Sequence, residues 1–336
     1  MFHSSNFIHH SNQMSSVVNL SFEKSKAGVP IATVSGGEYN KDVLYLHDSA
    51  NEKSKKKGVQ ELEIGKHRLS KLTPRKQSEV MRVLQEAHRR GIPPEHLNLD
   101  VDGAEETYRE MLGEMEKKGE STVKLPPGST FSINISNNPE KREIFYVAGA
   151  SGSGKSYIAK HLASEYQRQY PKRDVYLISK LKEDATLDSM ERPPIRLSPD
   201  KLVDKPITDL EIFRESLVIF DDYDSFVGKE GKVIQQLIDD ISIMGRHQVI
   251  TMLCLTHYLS NYKKTRLLLT EATHFVLYPL STGVQALNYL LKTYLGLSKD
   301  EVNNLRKTGS RWVCIYKNYP SWVVTETSAF LLNHTD

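Results

Sequence analysis

The sequence predicts an α/β fold: a central, mainly parallel β-sheet flanked by helices, preceded by an N-terminal α+β extension. Three observations predict it. From residue 129 onward, strand-length apolar runs alternate with helical stripes, as in a parallel sheet. A glycine-rich segment, 149–154, falls between one such run and a helix. The apolar residues are also unevenly placed, 44 among the first 142 residues against 85 among the remaining 194, so the second part can build a full core and the first reads as a looser attachment.

In chain order, residues 1–16 lack periodicity and are expected to form a disordered tail. An extension over 17–128 follows. It opens with three β-like runs, Val17–Phe22, Val29–Val34 and Val43–Leu46, bounded by turn residues such as Ser35-Gly36-Gly37 and Tyr39-Asn40. The Lys-, Ser- and Glu-rich stretch 51–57 reads as a solvated loop. A helical hairpin is predicted over 73–118. Thr73 caps, Pro74 suits the first helical position, and Val80, Val83, Leu84 and Ala87 recur at helical spacing before Gly91. Ala104, Tyr108, Met111, Leu112 and Met115 mark the second helix, with the two stripes packing on each other or on the main domain.

The main domain is placed at 129–336. Phe131, Ile133 and Ile135 alternate with polar residues, and Asn137-Asn138-Pro139 turns the chain, so a hairpin into the buried strand Glu143–Ala148 is expected. Later strands are predicted at Val175–Ile178, Leu217–Phe220, Val249–Leu255 and His274–Tyr278, with helices at 155–169, 232–244, 260–271 and 282–295. Arg311–Tyr316 and Trp322–Thr325 read as a closing hairpin around Asn318-Tyr319-Pro320.

Composition excludes several classes. No stretch approaches the roughly 18 apolar residues of a membrane span, and Met1 to Asn12 are polar and unlike a secretory leader. Cys254 and Cys314 lie in apolar runs without metal-ligand spacing, which points to reduced core thiols. A net charge of +3 over 336 residues is by itself no nucleic-acid footprint.

Gly149-Ala150-Ser151-Gly152-Ser153-Gly154-Lys155-Ser156 matches the Walker A pattern G-x-x-x-x-G-K-(S/T), between an apolar strand and a helix that starts near Tyr157. Glycines let the backbone wrap a polyphosphate with its N–H groups facing the oxygens, and the helix N-terminus adds its positive end. Lys155 is expected to reach the β- and γ-phosphates of ATP, Ser156 to ligate Mg²⁺, and 149–157 as a whole to bind the nucleotide. The fold class sharpens accordingly to a P-loop NTPase.

Leu217-Val218-Ile219-Phe220-Asp221-Asp222 supplies the carboxylates such a loop needs, at the end of a buried strand. Asp221 is assigned to Mg²⁺ and Asp222 to orienting or deprotonating the attacking water, with Asp224 a weaker candidate for that base. Met244-Gly245-Arg246-His247 leads into the next strand, which ends in Thr256-His257. If that strand lies between the P-loop and Asp221 strands, a polar group at its tip sits beside the γ-phosphate.

Gly149–Ser156, Leu217–Asp222 and Gly245-Arg246-His247 with Thr256-His257 together resemble the genome-packaging ATPases of large DNA viruses, the poxvirus type included, within the FtsK–HerA superfamily of ring translocases. The resemblance covers roughly residues 129–326; His257 stands where many members have Gln. It implies an ATPase coupled to DNA translocation, a homo-oligomeric ring with ATP between subunits, and an arginine reaching the γ-phosphate of a neighbour. Arg246 is the candidate finger, with Arg266 and Arg214 as rivals, and His257 the candidate sensor. It further implies sequence-independent contacts to DNA phosphates, for which Lys229, Lys232, Lys263, Lys264 and Arg266 are candidates. Residues 1–128 could serve capsid or portal-like docking, ring assembly or regulation. The location implied is intracellular, without membrane association: the host cytoplasm (virus factory) and the virion. Two other readings stand beside this one, a P-loop nucleoside or nucleotide kinase and a nucleotide-binding structural or regulatory protein with weak hydrolysis.

Overall fold

Buried strands carry this fold. The computed structural model describes residues 18–25, 28–48, 73, 76, 79–80, 82–84, 87, 94–97, 99, 101, 103–109, 122–260 and 262–332. The strands are β1 (Val18–Ser21), β2 (Val29–Ser35), β3 (Val43–Asp48), β4 (Thr122–Lys124), β5 (Thr130–Ile133), β6 (Ile144–Ala148), β7 (Val175–Ile178), β8 (Ile195–Arg196), β9 (Leu217–Phe220), β10 (Thr251–Thr256), β11 (His274–Leu277), β12 (Val313–Tyr316), β13 (Trp322–Thr325) and β14 (Ser328–Leu331). Ten of them form one sheet in the order β4-β14-β13-β12-β11-β6-β10-β9-β7-β8. From β11 to β8 neighbouring strands run parallel; β12, β13, β14 and β4 add an antiparallel wing.

Every residue of β6, β9, β10 and β11 is buried. That is why these segments read as continuous apolar runs: both faces of a parallel sheet are covered. Helix α1 (Lys155–Gln169) buries Ile158, Ala159, Leu162, Ala163 and Tyr166. The other labelled helices are α2 (Pro199–Asp204), α3 (Gly228–Met244), α4 (Tyr262–Glu271), α5 (Val284–Thr293) and α6 (Lys299–Lys307). The predicted strand positions in this half match within two residues, and α1 matches at both ends. Sequence reading missed α2 and α6, and the strands β4, β8 and β14. Ser298 caps α6: its hydroxyl accepts the Glu301 N–H at 3.2 Å, and the Glu301 carboxylate accepts the Ser298 N–H at 2.8 Å.

The expected hairpin between 131–135 and the strand at 144–148 does not form. β5 pairs with β2 instead, placing Ala32 opposite Ile133 and Ser35 opposite Thr130, in a second, four-stranded sheet of order β1-β3-β2-β5. The reason is edge occupancy: both sides of β6 are taken, by β10 and β11.

The chain divides into two compact units, Met1–Asn19 with Asp48–Glu120, and Leu20–His47 with Ser121–Asp336. In the first, Val80, Leu84, Ala87 and Tyr108 form a buried cluster with Leu97, Leu99 and Val101 against it, so the two predicted stripes meet. Val83 is off the stripe and 36% exposed. The tail 1–16, the loop 51–57, and Pro74, Gly91, Met111, Leu112 and Met115 lie outside the described residues. Among the described residues no helix is long and apolar enough to cross a membrane. Cys254 and Cys314 are buried free thiols, as expected from their apolar surroundings.

Candidate active site

The loop 149–156 joins β6 to α1 and needs glycine at three positions for two reasons. Gly152 (φ 74°) and Gly154 (φ 106°) adopt left-handed backbone. Gly149 instead lies against the Tyr278 ring, where a β-carbon would come within 2.5 Å of Cδ2. Its N–H donates to the Thr256 carbonyl at 3.1 Å, tying the loop to the tip of β10. Lys155 is buried, and its ammonium donates to the carbonyls of Gly149 (3.0 Å) and Ala150 (3.3 Å). Ala150, Ser151 and Gly152 are exposed, Ser153, Gly154 and Ser156 half-buried, and the Tyr157 ring faces solvent. The Ser153 Oγ is buried without a hydrogen-bond partner.

β9 delivers the acids. Asp221 is buried, and its Oδ2 accepts the Ser179 hydroxyl at 2.9 Å from the end of β7. Burial pushes the Asp221 carboxyl above the usual carboxylate range, and the neighbouring Asp222 and Asp184 add to the shift; the Ser179 bond and Lys155 oppose it. Asp222 takes a left-handed turn at φ 43°, which aims its carboxylate back at the loop. Its Oδ1 lies 3.8 Å from the Lys155 ammonium and 3.6 Å from His257 Nδ1, yet is buried without a hydrogen bond.

β10 lies between β6 and β9, as the sensor reading requires, and sets His257 beside Asp222 and Asp224. Asp224 Oδ2 accepts the His257 N–H at 3.4 Å and lies 3.5 Å from its Nδ1. The Tyr146 hydroxyl, from within β6, donates to the carbonyls of Tyr258 (2.7 Å) and Leu259 (3.2 Å) and pins the chain just beyond His257. One ligand atom each from Asp222, Asp224 and His257 lie within 4.8 Å of one another, close enough to share a cation. Mg²⁺ prefers oxygen donors in octahedral array, so the hydroxyl of Ser156 and the carboxylates suit it better than the imidazole does. Asp222 Oδ1, which accepts no hydrogen bond, fits an additional cationic or water ligand beside the loop.

Arg246 is not brought to this cluster. It precedes β10, whereas His257 follows it, and its charge acts on Arg142 at the entry to β6. Arg142 donates to the carbonyls of Ile241 (2.8 Å) and Ser242 (2.9 Å), closing α3 at the same end. The side chain of Arg246 is exposed. Arg214, also before its strand, pairs with Glu211 at 3.3 Å. Lys229, Lys232, Lys264 and Arg266 are exposed, and the side chain of Lys263 lies outside the described residues.

Three contributors escaped sequence reading: Ser179, Tyr278 and Tyr146. The last left a signal, a tyrosine in an otherwise apolar buried strand.

A comparison with known protein families finds no match. Among solved structures, the chain is similar to the genome packaging NTPase B204 from Sulfolobus turreted icosahedral virus 2, at 16% identity over 54% of this chain and 94% of that one, with a TM-score of 0.38. The cytoplasmic domain of the Thermomonospora curvata type VII secretion ATPase EccC gives 16% identity over 57% of this chain and 26% of that one, TM-score 0.39. The pCW3 conjugation coupling protein TcpA gives 11%, 64%, 67% and 0.33. Likenesses this distant do not say what the chain does. Sequence similarity is firmer: the uncharacterized protein V3 of Sputnik virophage is 32% identical over 224 residues, covering 65% of this chain and 87% of that protein. The chain belongs to the family of that virophage protein.

Proposed function

We propose that the chain is an ATP-hydrolysing DNA translocase of the FtsK–HerA type that packages viral genomic DNA. One observation carries the reading: Lys155, Asp222 and His257 converge at the C-terminal ends of adjacent parallel strands, the Asp222 carboxylate lying 3.8 Å from the ammonium and 3.6 Å from the imidazole. Membership of a virophage protein's family supports the viral setting, and with it action in the host cytoplasm and the virion.

In this reading Lys155 exchanges the loop carbonyls for the β- and γ-phosphate oxygens of ATP, and the loop N–H groups take the rest of the charge. Ser156 and Asp221 would hold Mg²⁺, which when bound neutralises charge on the β- and γ-oxygens. Asp222 orients the attacking water and accepts its proton as the new O–P bond forms and the bond to the β-phosphate oxygen breaks. Asp224 holds His257 in place, so that His257 contacts the γ-phosphate. Its departure would be felt through the Gly149–Thr256 hydrogen bond and the Tyr146 pin. Arg246, at the other end of the sheet, serves a neighbouring subunit's nucleotide in a homo-oligomeric ring. Residues 1–128 are assigned to docking on a capsid or portal-like partner.

The test is the ATPase rate of the full chain with and without duplex DNA of unrelated sequences. Stimulation by each duplex is the expected result. Phosphorylation of a nucleoside, or tight ATP binding without turnover, would overturn the reading.

A further inference from the structure

The antiparallel wing carries a cavity remote from the loop at 149–156. It has a volume of about 580 Å³ and is walled by β4, β14 and the last turn of α6. β4 is the outermost strand, five positions from β6, or roughly 24 Å at about 4.8 Å per strand. Lys124 and Lys307 both line it, with Asn304, Thr308, Thr327 and Phe330, and among the described residues that line it there is no carboxylate. Lys307 has an ordinary reason to be there, since a cation in the last turn suits the negative end of a helix. Lys124 stands on the facing edge strand, where a lysine also guards an open sheet edge; together the two cations make the cavity complementary in charge to an anion.

The shape narrows the ligand. Lys124, Asn304, Lys307 and Thr327 are all exposed, so the cavity is open. A free small ligand is normally buried over most of its surface, and these walls cannot do that. A polymer backbone that presents one face to the protein needs no such burial, and phosphate oxygens take hydrogen bonds from Lys, Asn and Thr side chains.

We propose that this cavity grips the phosphodiester backbone of duplex DNA, with Lys124 and Lys307 on phosphate oxygens and Asn304 and Thr327 donating beside them. The choice of DNA rests on the translocase reading; the position of the site and its preference for phosphate esters do not. The grip is sequence-independent, because it touches no base edge.

The experiment measures binding of the full chain to labelled duplex DNA by fluorescence anisotropy across a salt series, for wild type, Lys124→Gln/Lys307→Gln and Lys124→Arg/Lys307→Arg. The Gln pair is expected to weaken binding on the order of tenfold at moderate salt and to make the slope of log affinity against log salt shallower by about 2. The Arg pair should restore both, while melting temperature and DNA-free ATPase rate stay at wild-type values. Wild-type DNA affinity and slope in the Gln pair would overturn the grip. If such a protein still shows DNA-stimulated hydrolysis, the translocase reading survives that failure. A wild type that hydrolyses ATP but binds no DNA would end both. A third arm titrates AMP and inorganic phosphate into Lys155→Ala protein with and without the Gln pair. Loss of binding there, with DNA binding intact, would reassign the cavity to a free phosphate ester and overturn the proposal.

Discussion

Gly149→Ala tests whether the loop's position is set by Tyr278. The added β-carbon would lie 2.5 Å from Tyr278 Cδ2 and 2.7 Å from Ser153 Oγ, whereas carbon atoms in contact settle at about 3.5–4.0 Å. The Ser153 hydroxyl can rotate away. The tyrosine ring cannot, since it is 2% exposed beneath the loop. The backbone must therefore lift by about 1 Å, but Gly149 is held on both sides: its N–H by Thr256 at 3.1 Å and its carbonyl by Lys155 at 3.0 Å. Overpacking of this kind costs about 1–3 kcal/mol, partly offset by roughly 0.4–1 kcal/mol from stiffening the unfolded chain. A net loss of about 1–2 kcal/mol is expected, together with weakened nucleotide binding, because Lys155 is positioned through the same carbonyl. Thermal melts and titration with a fluorescent ATP analogue would measure both in Gly149→Ala, Tyr278→Leu and the double variant. With the ring removed, alanine should cost less, giving a coupling of about 1 kcal/mol. Unchanged melting and nucleotide affinity in Gly149→Ala, or strict additivity, would refute the reasoning.

Asp222→Asn should slow single-turnover hydrolysis about 10²-fold or more while leaving ATP affinity near wild type; collapse of affinity would make it a metal-site residue instead. Asp221 has its carboxyl pKa raised by burial, so the folded protein holds that proton more tightly than the unfolded chain. Its contribution to stability therefore falls as pH rises from the unfolded carboxyl pKa through the folded one. Asp221→Asn should melt at or above the wild-type temperature at neutral pH, lose that advantage at acid pH, and lose Mg²⁺-dependent hydrolysis; a lower melting temperature at neutral pH contradicts this. Tyr146→Phe removes the hydroxyl that holds the Tyr258 and Leu259 carbonyls. A loss of about 1–2 kcal/mol and faster amide exchange at 257–260 are expected, and unaltered exchange would show that the pin is unnecessary.

What could be read in advance divides by locality. The parallel half was legible because strands buried on both faces are continuous apolar runs, and because the 149–156 pattern is local and contiguous. The partner of β5 was not. Alternation at Phe131 and Ile133 says which face is buried, not which edge is free, and Ile133 pairs with Ala32 across most of the extension. Ser179 is an ordinary serine after a strand until β7 is known to lie beside β9, where it meets Asp221. Helix α6 was legible and overlooked: Ser298 and Glu301 spell a capping box, but few apolar residues follow it. Arg246 is the instructive case. Chain order alone puts it before a six-residue strand and His257 after it, which separates them by roughly 20 Å along the strand. Two residues at opposite ends of one strand cannot contact the same phosphate in one subunit. Either Arg246 has no part in hydrolysis, or the entry edge of one copy meets the exit edge of the next. Mixing Arg246→Ala subunits into wild type separates these alternatives. Activity that falls faster than the mutant fraction requires a shared site, whereas full activity in pure Arg246→Ala protein removes the arginine from the mechanism.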